Sequence, residues 1–129
     1  MPTFVEVFLA KEGHDQPVGV NYLEKMRLAT PAAVYGAMLA GGDYVLMGAG
    51  LPTEMPRLLD ALAAGQPARL SVAVHGAEPG DDHHVAVDPR DLLGNAAHSL
   101  RRPQLLAIVS SATCPRAGCH VPAAPGPRR

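Results

Sequence analysis

Hydrophobic positions along this chain recur in two periods, and the switches between them mark out its elements. Phe4, Val5, Phe8 and Leu9 share one face at helical spacing. Thr3 and Glu6 are spaced as a capping box and Gly13 follows as a stop, so the pattern predicts a helix over residues 3–13. The alternation of Val5, Val7 and Leu9 also permits a strand there. Residues 18–22 are a short apolar run after Pro17, suited to a buried parallel strand. Thr30 as a cap, with Pro31 at the first helical position, predicts a helix through Val34, Tyr35, Met38 and Leu39 to Gly41. Residues 44–47 read as the next strand, ended by Gly48-Ala49-Gly50. Pro52-Thr53-Glu54 then starts a helix through Leu58, Leu59 and Leu62 to Gly65. Residues 70–74 and 84–87 alternate as strands that can pair as a hairpin, and 105–109 is a continuous apolar run of buried-strand type.

Strands alternating with helices predict an α/β fold with mainly parallel strands. Such sheets bind ligands at the carboxyl ends of their strands, which here are Asn21, the Gly48-Ala49-Gly50 turn and Ser110-Ser111. The Asn21 amide offers both a donor and an acceptor, although an Asn ending a strand commonly serves a turn or cap. The glycines of 48–50 let backbone amides approach a planar ring or a phosphate. A tight strand-to-helix turn explains them equally well, and Pro52-Thr53 breaks the Gly-x-Gly-x-x-Gly spacing of a dinucleotide fingerprint.

Composition narrows the picture. A chain of 129 residues, 47% hydrophobic and 18% charged, is long enough for one globular domain. No apolar stretch reaches the roughly 18 residues that a membrane crossing needs. The first residues carry neither the basic region nor the apolar core of a signal peptide, so a cytoplasmic location is expected. A formal net charge of −1 gives no global attraction to nucleic acid or to an anionic membrane. Five arginines and no acidic residue lie between Arg101 and Arg129, and residues 114–129 hold four prolines and two glycines without hydrophobic periodicity. That segment is expected to be a disordered Pro/Arg-rich tail, with residues 1–113 forming the folded part.

Other candidate chemistry has a plainer reading beside it. Cys114, Cys119 and His120 give only three ligands where tetrahedral zinc takes four, so free thiols are expected. His75, His83 and His84, with Asp81, Asp82 and Asp88, straddle a Gly/Pro/Asp loop where solvated polar residues belong. His14 beside Asp15 reads as an exposed loop, and Ser110-Ser111 has no Gly-x-Ser-x-Gly setting. No metal site and no catalytic residue is predicted.

Longer stretches carry a resemblance. Residues 7–15 (VFLAKEGHD), 19–25 (GVNYLEK), 39–41 and 43–50 (DYVLMGAG), with Arg102-Pro103 and 106–111 (LAIVSS), are similar to the nitronate monooxygenases, formerly 2-nitropropane dioxygenases. The resemblance covers residues 3–113 and implies an FMN-dependent TIM barrel that oxidises alkyl nitronates with O2. It also implies that Asn21 and Gly48-Ala49-Gly50 lie at the flavin. Relatives in the same superfamily are enoyl-acyl carrier protein reductases, and a fragment of such a relative is the alternative that the resemblance implies. A (β/α)8 barrel typically takes about 250 residues. The family's first glycine-rich strand, its Gly-Gly-His motif with the catalytic histidine, and its phosphate-holding strand ends have no counterpart here. The expectation is therefore a partial TIM-barrel-like segment of a truncated or frame-shifted protein. It would be inactive alone, or a non-catalytic remnant needing a complementary partner, and would self-associate through exposed apolar sheet edges.

Overall fold

Two glycine-closed helices and three parallel strands organise the molecule. The computed structural model describes residues 2–96 and 98–109. In chain order these form α1 (Pro2–Ala10), β1 (Gly19–Leu23), α2 (Thr30–Leu39), β2 (Tyr44–Gly48), α3 (Met55–Ala63), β3 (Ala68–Ser71), β4 (His84–Val87), α4 (Pro89–Leu93), a 3-10 turn (Gly94–Ala96) and β5 (Gln104–Ala107). The fold is mixed α/β.

The parallel sheet has the order β1-β2-β5. Asn21 stands beside Leu46 and Leu46 beside Leu106, while Leu23 stands beside Gly48. The predicted hairpin forms: β3 and β4 pair antiparallel as a separate two-stranded sheet, with Leu70 opposite Val85. α2 and α3 end by the same device. Gly41 (φ +77°) and Gly65 (φ +69°) turn the chain into the left-handed region. The next residue then donates back to the last turn, Gly42 to the Ala37 carbonyl and Gln66 to the Ala61 carbonyl, each at 2.8 Å.

The core lies on one side of the parallel sheet. Val45 and Met47 of β2 meet Val34, Tyr35 and Met38 of α2, and Met55, Leu58, Leu59 and Leu62 of α3. Ala68, Leu70 and Val87 of the hairpin close the cluster, and Tyr22 and Leu105 pack at its edge. Side-chain alternation sends the other set of residues to the opposite side of the sheet. There Gly19, Asn21 and Leu23 of β1 are exposed, as are Gln104 and Leu106 of β5. Among the described residues the sheet thus has a covered face and a bare one.

Local details depart from the sequence reading. Thr30 does not cap α2. Its hydroxyl donates to the Met26 carbonyl at 2.7 Å, because residues 27–29 already turn and Ala29 is already in the right-handed helical region ahead of it. Thr3 and Glu6 form no box ahead of α1, which starts at Pro2 and ends at Ala10, short of residue 13. β3 begins two residues earlier than the alternation suggests and ends at Ser71. β1 continues past Asn21 to Leu23, since Glu24 N–H still bonds the Gly48 carbonyl at 2.8 Å. Asn21 is therefore in mid-strand and not at the strand's end. α4 was not read from the sequence, yet Asp88-Pro89 signals it: the Asp88 carboxylate accepts from the Arg90 amide at 2.9 Å, and Pro89 fills the first turn.

Candidate ligand site at the strand ends

The bare face joins Asn21, Leu46 and Leu106 in one row, with Leu23, Gly48 and Ile108 in the row nearer the carboxyl ends. Ile108 extends the β5 ladder, donating to the Met47 carbonyl at 2.8 Å, and a Cβ on Gly48 would touch its side chain at 3.4 Å. Leu23 is 49% exposed and Ile108 50%. The surface offered is apolar, with a single amide side chain on β1. Gly48, Ala49 and Gly50 continue it beyond the end of β2. The structure thus brings Asn21 and Gly48 onto one face, two registers apart, and sets Ala49 and Gly50 at its rim.

That turn is conformationally special. Ala49 has φ +60°, the left-handed region that disfavours a side chain by roughly 1–2 kcal/mol. Gly50 meets Glu24 so closely that a Cβ would lie 2.7 Å from the carboxylate oxygen and 3.0 Å from the Glu24 Cβ. A side chain at this position would have to displace Glu24.

Glu24 opens a polar cluster that the sequence reading missed. The Arg27 guanidinium bonds the carboxylates of both Glu24 and Glu54, and also donates to the Ser71 carbonyl at 2.9 Å. Ser71 returns its hydroxyl to Glu54 at 2.9 Å. Burial disfavours the charged form of Glu54, but Arg27 and Ser71 outweigh it and hold its carboxyl below the usual range. The two carboxylates push Arg27 upward. The cluster joins the segment after β1, the segment before α3 and the end of β3, at the same end of the sheet as the 48–50 turn.

The opposite end of the strands is fixed by Asp43. Its carboxylate accepts from Lys11 Nζ at 2.8 Å, from the Val18 amide at 2.9 Å and from Arg101. Burial acts against its charge, yet these donors hold it well below the usual carboxylate range. On the covered face, the Tyr22 hydroxyl is buried with no hydrogen bond of ordinary geometry among the described residues, and burial, outweighing the nearby Thr3 side chain, pushes its pKa to about 12.

The remaining sequence candidates sit elsewhere. His14 accepts from the Gln16 amide at 3.1 Å in an exposed loop. His83 and His84 lie 3.6 and 3.8 Å from Asp81 and Asp82 on the exposed hairpin, and Asp88 is a helix cap. Among the described residues no three His, Cys, Asp or Glu side chains come together as a metal-holding group. No described helix is long and apolar enough to cross a membrane. Ser110-Ser111, Cys114, Cys119, His120 and the 114–129 tail lie outside the described residues.

Comparison with protein-family models, with curated proteins and with solved structures finds no match.

Proposed function

We propose that this chain is a segment of an FMN-dependent nitronate monooxygenase-like oxidoreductase, contributing strands to a (β/α) barrel. The observation that carries the reading is the one-sided parallel sheet. Helices cover one face, and the other, among the described residues, is bare and largely apolar, with the Asn21 amide midway along β1 and the Gln104 amide at the start of β5. That is the division between the outside and the inside of a barrel of parallel strands. The long stretches of family-like sequence agree with it, since they run through β1, β2 and β5.

In this reading the donor set fits the ring part of a flavin. Asn21 would hydrogen-bond an edge of the isoalloxazine, the Leu46 and Leu106 row would meet its apolar plane, and the 48–50 turn would bring backbone close to it. FMN would supply the redox chemistry toward a nitronate, and the side chains described here would bind and orient the ring. Phosphate binding and catalysis belong to residues that this sequence does not carry. The bare face then calls for covering strands, from a complementary chain or from a second copy.

The test is a flavin titration. The purified 129-residue chain is expected to be colourless as isolated and inactive toward nitronates. Added FMN should be bound saturably, with quenched flavin fluorescence. Asn21→Ala, at an exposed site, should leave the far-UV circular dichroism unchanged. It should weaken binding about fivefold, the loss of roughly 1 kcal/mol for a hydrogen bond. Unsaturable quenching, or equal binding by the variant, would overturn the flavin reading, and stoichiometric flavin in the purified protein would overturn the expected inactivity.

A further inference from the structure

We infer that Arg27 is a positioning residue that sets the Gly48–Gly50 turn, acting through Glu24. The inference rests in part on the flavin reading, because that reading makes the turn part of the ligand surface. The geometry of the clamp stands independently of it.

Three contacts converge on the turn. Glu24 is tied to the last residue of β2 by its own amide, which bonds the Gly48 carbonyl at 2.8 Å. The Glu24 side chain lies against Gly50, so close that a Cβ there would force the carboxylate to move. Its carboxylate is bonded by Arg27, and only 17% of that side chain is exposed. Arg27 in turn is fixed from the far side by Glu54 and by the Ser71 carbonyl. The guanidinium therefore spans two carboxylates and a backbone carbonyl with one planar group, which a flexible ammonium cannot reproduce.

Removing Arg27 leaves two carboxylates near each other and half-shielded from water. Their repulsion, and the tendency of Glu24 to seek solvent, would move Glu24 away from Gly50. Ala49 is already held at an unfavourable φ, so the turn has no conformational preference of its own to keep it in place. The 48–50 backbone should then relax while the core below, built from α2, α3 and the hairpin, is untouched. Arg27 thus acts on the ligand surface from outside it.

The experiment uses the full chain with Arg27→Met, Arg27→Lys and Glu24→Gln. Amide hydrogen exchange is followed over residues 48–52 and, as an internal reference, over α2 and α3. FMN affinity is measured alongside. Arg27→Met should speed exchange at 48–52 by about tenfold or more without accelerating α2 or α3. It should weaken FMN binding by a similar factor, and Arg27→Lys should restore exchange only in part. Glu24→Gln, which keeps the Arg27–Glu54 link, should loosen 48–52 alone. Exchange that rises evenly across the chain, or a turn unchanged in Glu24→Gln, would overturn the inference. If Arg27→Met fails to fold, the Glu24→Gln exchange pattern decides alone. If the wild type binds no FMN, the flavin reading falls while the exchange data still judge the clamp.

Discussion

Asp43→Asn is the most demanding test of how the strand starts are held together. The substitution keeps the shape of the side chain and removes its charge. The carboxylate takes Lys11 at 2.8 Å and the Val18 amide at 2.9 Å, and its side chain is only 17% exposed. Hydrogen bonds to a charged group contribute roughly 1.5–3 kcal/mol each. The Arg101 side chain is 65% exposed, so that pair adds at most about 1 kcal/mol. Asn still accepts one hydrogen bond, which leaves a net cost of about 2–3 kcal/mol. That is a large share of the roughly 5–15 kcal/mol by which domains are stable.

The pH dependence supplies a second criterion. The folded pKa of Asp43 is depressed, so its contribution is complete above the unfolded value, about 3.9. It is lost as pH falls toward the folded one. Urea unfolding followed by far-UV circular dichroism should show the full gap between wild type and variant at neutral pH, and a narrower gap near pH 3. A variant within about 0.5 kcal/mol of wild type at neutral pH, or a gap unchanged by acid, would refute the account of Asp43 as the charged anchor of Lys11 and Val18.

Two further outcomes follow from the same structure. Ala49→Gly should stabilise the fold by about 0.5–1 kcal/mol, because relief at φ +60° exceeds the added chain entropy; a lower melting temperature would show that the Ala49 methyl makes contacts that outweigh the strain. Leu59→Ala, at a fully buried position of α3 in the core cluster, should cost about 2–5 kcal/mol, and a denaturation midpoint within error of wild type would mean that α3 is not seated on the core as described.

Local chemistry announced most of the fold. Pro31, the apolar spacing from Val34 to Leu39, and Gly41 together specify α2, and the same logic with Gly65 specifies the end of α3. The parallel strands were legible as short apolar runs flanked by turn residues; such runs signal burial on both faces, yet Leu23, Leu106 and Ile108 are exposed on the bare face. Boundaries were less so. Asn21 looked like a terminus because a polar residue interrupts an apolar run, whereas alternation simply turns it toward the bare face while the ladder continues to Leu23. The clamp was not legible at all. Arg27 lies 27 residues from Glu54 and 44 from Ser71, and isolated charges at such separations carry no period. They meet only once β1 and β2 pair and the hairpin folds back over α3. Glu24 and Arg27, three residues apart, were the one local hint.

The path from β2 to β5 has a consequence for engineering the molecule. These two strands are neighbours in the sheet, yet 55 residues, 49–103, separate Gly48 from Gln104. A parallel crossover needs only a dozen or so residues, which α3 and its flanking turns already provide. The hairpin and α4 are an excursion from a connection that is otherwise complete, anchored to the core by Ala68, Leu70 and Val87. The stretch between Ser71 and His84 reaches outward from those anchors and is exposed from Ala73 onward. The register of β5 on β2 is dictated by the ladder and not by the length of this detour. The tip of the hairpin is therefore the natural graft point for a reporter, an affinity tag or a foreign loop.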